Sequence, residues 1–313
     1  MYHMLLSAGG FAMYRAETHV FNSLAPRFGD LRLRHNRMAM LDAFVRSDMF
    51  RVSGLAESGF RRAIDERCSS AGDFLRLFME GVAATQGVSR WAETTPVHVT
   101  YIPEIKASIP DALFVHVIRD GRDVAVSMAK QQWISPLPMD RGTPELAAGA
   151  FWLWVVTTGH RLGNAVGRDY LAIRYEDLVG QPQSTLDQVG AFIGQRLDYA
   201  EILRVGVGSV SKPNTSFPGR AGAFSGRWRE GLDNGMARKL EALLEPALLA
   251  HQYTVDTPLT VADRRGAQAR RAAYLAWFGA RHVLKRTSLG RRYVSLALFE
   301  PGAVKSPEEK PPD

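Results

Sequence analysis

Cysteine is nearly absent. The 313 residues contain one, Cys68, so no internal disulfide can form and nothing in the sequence points to an oxidising compartment. A lone thiol also leaves the usual structural zinc sets without ligands. The eight histidines (His3, His19, His35, His98, His116, His160, His251 and His282) are scattered without ligand spacing, so no metal is expected. Long apolar runs are missing too, and no segment has the uninterrupted length that spans a bilayer. Met4 to Ser7 is too short for the apolar core of a signal peptide, and glycines follow at once. A cytoplasmic protein is the expectation. There is no internal repeat and no long low-complexity tract.

What the chain holds in excess is positive charge. Its formal net charge is +7 and its isoelectric point about 9.7. That balance suits anionic partners: a nucleotide, nucleic acid or an acidic membrane surface. With 46% hydrophobic residues the chain can fill the core of one large domain, or of one domain with an appendage.

The densest pattern is Phe114-Val-His-Val-Ile-Arg119-Asp-Gly-Arg-Asp-Val-Ala-Val-Ser127. Its apolar run, Leu113 to Ile118, reads as a buried parallel strand. A charged turn with Gly121 breaks the run, and helical spacing follows. Arg119 and Ser127 are thereby expected at the carboxyl end of a strand, where open α/β sheets bind ligands. A guanidinium and a hydroxyl there would clamp a phosphate. A surface salt-bridge turn is the competing reading of the same residues.

Further strands are expected at Tyr2–Ser7, Val97–Tyr101 and Tyr170–Arg174. Helical spacing runs over Phe11–Leu24 and Asp73–Ala84. Thr143-Pro144-Glu145 supplies an N-cap, a first-turn proline and an acid before a helix bearing Phe151, Trp152 and Trp154. Pro182–Gly194 and Met236–Leu249 read as later helices. Strands alternating with helices predict an α/β protein, a three-layer sandwich around a central parallel sheet.

The Arg119–Ser127 segment resembles the 3′-phosphate-binding motif of sulfotransferases that use 3′-phosphoadenosine 5′-phosphosulfate (PAPS). Trp91-Ala-Glu-Thr-Thr-Pro96, Arg174-Tyr175-Glu176-Asp177-Leu178 and Ser225-Gly226-Arg227-Trp228-Arg229 resemble other segments of that family in the expected order. The resemblance covers roughly residues 4 to 253. It implies a P-loop NTPase-like sulfotransferase fold. The implied reaction moves a sulfuryl group from PAPS to a hydroxyl or amine of a small-molecule, glycan or lipid acceptor. The spent nucleotide is 3′-phosphoadenosine 5′-phosphate, and the chemistry requires no metal.

The same resemblance implies cofactor contacts at Gly9, Gly10, Phe11, Ala12, Arg119, Ser127, Tyr175, Ser209, Lys212 and Arg227. Ser7 to Ala12 stands where the family has its 5′-phosphosulfate loop, with glycines allowing close backbone approach and a helix N-terminus offering N–H groups. Ala8 stands where the family has a cation, Phe11 and Ala12 where it has hydroxyls, and Thr94 where it often has lysine. Arg15 is the candidate replacement cation. Glu17, two residues on in the same expected helix, is the first candidate base and Asp30 the second. Glu176-Asp177 reads as a turn cap, and Trp228 as packing or an adenine contact. A nucleotide-binding protein without catalysis, or a P-loop kinase, is the alternative. The turn lacks the Gly-Lys-Ser/Thr ending of such a kinase, and the core shows no nucleic-acid recognition motif.

Composition shifts after Tyr253. The expected divisions are a sulfotransferase domain over 1–258, a basic helical extension over 259–300 and a disordered tail over 301–313. Residues 264–292 carry nine arginines and lysines and no acid, with Tyr274, Trp277 and Phe278 interleaved. That pattern allows peripheral membrane contact, with the aromatics entering the interface. A helix packed on the core with its arginines reaching outward is the other reading.

Overall fold

The computed structural model describes residues 1–208 and 225–303. Its chain gathers into two compact units, one of Tyr2–Ala112 with the segment from His282, the other of Leu113–Arg281 with Met1. Among the described residues, no helix is long and apolar enough to cross a membrane.

The first unit is helical. It contains α1 (Tyr2–Ala8), α2 (Arg34–Val45), α3 (Glu57–Arg67), α4 (Ala71–Thr85) and α5 (Ile102–Ser108). The strand expected over Tyr2–Ser7 is therefore a helix. Tyr-His-Met-Leu-Leu-Ser-Ala has no β-branched residue, and Leu and Met favour helix. Ser7 Oγ donates to His3 O at 2.8 Å, one turn back. The helix ends at Gly9 and Gly10, whose φ angles of 79° and 76° only glycine adopts readily. The strand expected over Val97–Tyr101 is a 3₁₀ helix, Pro96–Tyr101, started by the fixed φ of Pro96.

Phe11–Leu24 fails as one continuous helix for a specific reason: other segments take its backbone groups. Ala12 N donates to Arg90 O at 2.7 Å, and Gln86 bonds both N and O of Met13. Glu93 accepts from Thr18 N and Oγ1, His19 N donates to Thr95 Oγ1, and Phe21 N donates to His98 Nε2. Only Val20–Leu24 turns helical, as a π-helix. The centre of this exchange is Glu93, which also accepts from Thr95 and pairs with His98 Nδ1 at 2.9 Å. Burial alone would raise its carboxyl. His98, with the Thr95 and Thr18 donors, instead pulls it down to about 2.

A depressed carboxyl stabilises the fold above its unfolded value near 4.5 and loses that contribution as pH falls toward 2. The contribution is on the order of 3 kcal/mol. Glu93→Gln is expected to be less stable than wild type near neutrality, with the gap closing between pH 4.5 and 2. Urea unfolding across that range checks it. A gap that stays constant would mean that the Glu93 charge does not hold this segment.

The second unit is α/β, with β1 (Phe114–Ile118), α6 (Gly121–Lys130), α7 (Pro144–Ala165), β2 (Tyr170–Arg174), α8 (Tyr175–Gly180), α9 (Pro182–Ile193), α10 (Asn234–Ala250) and α11 (Val261–Leu284). The last turn of α11 counts with the first unit. The two strands pair in parallel, from Phe114 against Tyr170 to Ile118 against Arg174. They form the two-stranded sheet of the described residues, half-buried apart from the buried Ile118 and Ile173 and the exposed Ala172. The larger sheet of a three-layer sandwich is not among those residues. The core lies between α6, α7, α10 and α11, around Leu146, Trp152, Leu240, Leu244 and Tyr274.

Gly121 opens α6 against Trp152. A Cβ there would meet the indole ring at 2.6–2.7 Å. Gly121→Ala gains up to ~1 kcal/mol in helix propensity but incurs roughly 1–3 kcal/mol of overpacking. A net loss of about 1 kcal/mol is expected, read as a fall in melting temperature. An unchanged or higher melting temperature would show that Trp152 yields.

Candidate active site

The charged turn after β1 is built from the inside out. Asp120 caps α6: its carboxylate accepts from Arg122 N at 2.9 Å and from the Arg122 guanidinium at 3.0 and 2.7 Å. The other guanidinium arm donates to Glu241 of α10, which also accepts from Asp256 N at 3.0 Å and Thr257 N at 2.8 Å. Arg122, Asp120 and Glu241 are all buried. Burial would lower the Arg122 pKa, but the hydrogen bonds and charges of Asp120 and Glu241 outweigh it and raise the pKa above its ordinary value.

Asp123, one residue on, gathers another segment. Its buried carboxylate accepts from Gly226 N at 2.8 Å and Trp228 N at 2.9 Å. Those bonds bring Gly226–Arg229 onto the start of α6. Glu176, at the start of α8, accepts from Asp120 N at 3.1 Å and from Tyr253 OH at 2.6 Å. It therefore ties the turn after β2 to the turn after β1. The Arg119, Tyr175 and Gly226 segments thus meet at the carboxyl ends of the paired strands.

Arg119 is the more accessible of the two arginines in the turn after β1. Its side chain keeps 17% of its surface exposed, against 3% for Arg122. It stands 5.0 Å over the Tyr175 ring and 3.5 Å from Asp123 Oδ2, a long contact for a charged pair. Ser127 follows Asp123 by four residues on α6. It therefore shares the helix face that Asp123 turns toward Arg119 and Gly226, and it is half-buried. Arg227 lies between the two backbone N–H groups that Asp123 holds, half-buried, and leads into the short helix Trp228–Gly231. Trp228 is buried, with the guanidinium of Arg122 at 4.2 Å and that of Arg229 at 4.6 Å from its ring. Of its two readings, packing is the one the structure supports.

The remaining expected residues belong to the first unit, apart from Ser209 and Lys212, which lie outside the described residues. Gly9 and Gly10 follow the carboxyl end of α1, so the expected strand–turn–helix around them is corrected. No helix N-terminus opens at Phe11 or Ala12, because α1 precedes the glycines and an extended stretch follows them. Phe11 packs under the Arg90 guanidinium at 4.7 Å, and both Phe11 and Ala12 are buried. Arg15 and Glu17, expected on a helix, lie in the non-helical stretch that Gln86, Glu93 and Thr95 hold. Arg15 is exposed, and Glu17 pairs with His19 Nε2 at 3.1 Å. Asp30 is exposed and gripped by Arg32, with contacts of 2.8 to 3.1 Å. Hydrogen bonds from the Arg32 side chain and backbone hold its carboxyl below the usual range, which makes it a weaker base.

Sequence reasoning missed Asp123, Arg122 and Glu241 as the framework. One signal was present: Asp123 falls four residues after Arg119, the spacing of a helical ion pair. Glu241 stood among the leucines of an apolar helix, a position a charge occupies only when paired.

The geometry can be set beside known proteins. A solved sulfotransferase domain from the curacin biosynthetic pathway is 15% identical, covering 88% of this chain and 92% of that one, with a TM-score of 0.45. The sulfotransferase domain of the Synechococcus PCC 7002 olefin synthase is 14% identical, covers 89% of each chain and has a TM-score of 0.43. Overlaps this loose carry no weight by themselves. No curated protein sequence matches the chain. The sulfotransferase family model matches residues 4–199, well over half of the chain. On that match the chain belongs to the sulfotransferase family.

Proposed function

We propose that the chain transfers a sulfuryl group from PAPS to a hydroxyl or amine of a small-molecule, glycan or lipid acceptor and releases 3′-phosphoadenosine 5′-phosphate. The observation that carries this reading is Arg119, which keeps part of its surface exposed at the ends of the paired strands and lies over Tyr175, with Ser127 on the helix that follows. A 3′-phosphate calls for a forked cation and a hydroxyl, and an adenine for an aromatic face. Arg119, Ser127 and Tyr175 are residues of those kinds, and Arg227 is a second cation nearby in the same cluster. Ser209 and Lys212 are further candidates for the nucleotide.

Sulfuryl transfer resembles phosphoryl transfer in needing position and charge more than covalent help. The bond from sulfur to the phosphate oxygen breaks, a bond from sulfur to the acceptor forms, and the acceptor proton leaves to a base. Glu17 is the preferred base, since Asp30 is neutralised by Arg32. Gly9, Gly10, Phe11 and Ala12 are proposed for the phosphosulfate end, with Arg15 as the cation that Ala8 does not supply.

The test is formation of 3′-phosphoadenosine 5′-phosphate together with a sulfated product, detected by mass spectrometry, when the purified protein is given PAPS and a panel of alcohols and amines. A second reading rests on the loop without lysine or arginine from Ser7 to Tyr14: a nucleotide-binding protein that does not catalyse. Tight binding of the spent nucleotide with no product across the panel would favour it.

A further inference from the structure

The chain's positive charge is concentrated at one place. Residues 264–292 carry nine basic side chains and no acid, which exceeds the whole surplus of +7, so the rest of the chain is net acidic. Part of that charge is neutralised in the fold. Arg264 pairs with Glu245, Arg270 with Asp140 and Arg286 with Glu104. Arg265, Arg281 and Arg292 have no acidic partner among the described residues.

The aromatics divide in the same way. Tyr274 and Phe278 of α11 are buried in the core of their unit, so neither can enter a lipid interface, and for these two the reading of a helix packed on the core holds. Their residues at helical spacing bury one face of α11. Trp277 stays 48% exposed, and with Ala280 and Leu284 it forms a stripe at i, i+3 and i+7. Val283 adjoins the stripe, at 60% exposed. The chain just past the helix leaves Leu289 at 63% and Tyr293 at 84% exposed, between Lys285, Arg286, Arg291 and Arg292. Large apolar side chains at such exposure, set among cations, mark an interaction surface.

We propose that the last turn of α11 and the chain after it dock the protein on an anionic lipid surface, with Leu284 and Leu289 entering the interface and Arg292 meeting headgroups. Charge complementarity selects this occupant. A second copy would bring the same positive sign against itself. A nucleic-acid backbone would satisfy the cations but offer nothing to Val283, Leu284 and Leu289. Exposed aliphatic side chains in a segment that also exposes an arginine and a tyrosine match a headgroup boundary.

The experiment is co-sedimentation of the full chain with vesicles of phosphatidylcholine alone, and of phosphatidylcholine and phosphatidylserine in equal parts. Binding is expected to the anionic vesicles only and to fall with added salt. Arg292→Gln should weaken it roughly fivefold, the worth of one cation near such a surface. Leu284→Ser with Leu289→Ser should weaken it on the order of tenfold. All three side chains are exposed, and circular dichroism confirms that the variants fold. Equal pelleting with both vesicle types, or with neither, overturns the proposal. So does dimerisation without lipid that the leucine variants abolish, or binding of duplex DNA that those variants leave unchanged.

Discussion

Arg119→Ala is expected to weaken binding of 3′-phosphoadenosine 5′-phosphate roughly ten- to hundredfold and to leave the fold nearly as stable as before. The first half follows from exposure and chemistry. A hydrogen bond to a charged partner is worth about 1.5–3 kcal/mol, and a guanidinium on a phosphate is bidentate. The second half follows from what Arg119 leaves behind. Asp123 keeps its two backbone donors, Gly226 N and Trp228 N, so no buried carboxylate is stranded. Arg119→Lys should fall between wild type and alanine, since it keeps the charge and loses the fork. Ser127→Ala should lose less, up to about tenfold, as a neutral hydroxyl does. Isothermal calorimetry of the folded variants measures all three. Wild-type affinity in Arg119→Ala would remove the nucleotide from this cluster and, with it, the proposed donor.

The sequence was most legible where local signals agreed with packing. Pro144 begins α7, Pro182 begins α9, and Gly194 stops α9 with a φ of 68°. At each, the fixed φ of proline or the freedom of glycine decides the end without help from distant residues. β1 and β2 were legible as apolar runs between turns. The first unit was not, because its backbone is held by side chains from far along the chain. Glu93 and Gln86 reach Thr18 and Met13 across more than seventy residues of sequence. Apolar spacing over Phe11–Leu24 reported burial truthfully and helix wrongly, since nothing local says that Glu93 will take the donors.

The candidate site shows the same division. That Arg119, Tyr175 and Arg227 belong together was legible from the order of their motifs. Which arginine of the turn serves a ligand was not. Arg119 and Arg122 are alike in sequence and differ in the structure because Asp120 and Glu241, the latter more than a hundred residues on, draw the Arg122 guanidinium inward.

That difference sets the second large expected effect. Arg122→Met should destabilise the protein by about 3–5 kcal/mol, the cost of breaking a buried ion pair from one side. The substitution keeps much of the side chain's volume but leaves the buried Asp120 and Glu241 carboxylates without their cation. Their backbone donors, Arg122 N for Asp120 and Asp256 N and Thr257 N for Glu241, cannot offset two negative charges in the core. Removing the charges together reverses part of the damage. Arg122→Met with Asp120→Asn and Glu241→Gln should lose less than Arg122→Met alone, because no charge is left unpaired in the core, although the single amide oxygen at position 241 can accept only one of the two N–H groups that Glu241 holds on separate oxygens. Urea unfolding of the single and triple variants measures the comparison. Arg122→Met within about 1 kcal/mol of wild type, or a triple variant worse than the single, would mean that the network is not what anchors α6 to α10. Nucleotide affinity in the folded triple variant should stay within a few-fold of wild type, since Arg119 and Ser127 remain and the groups replaced lie behind them.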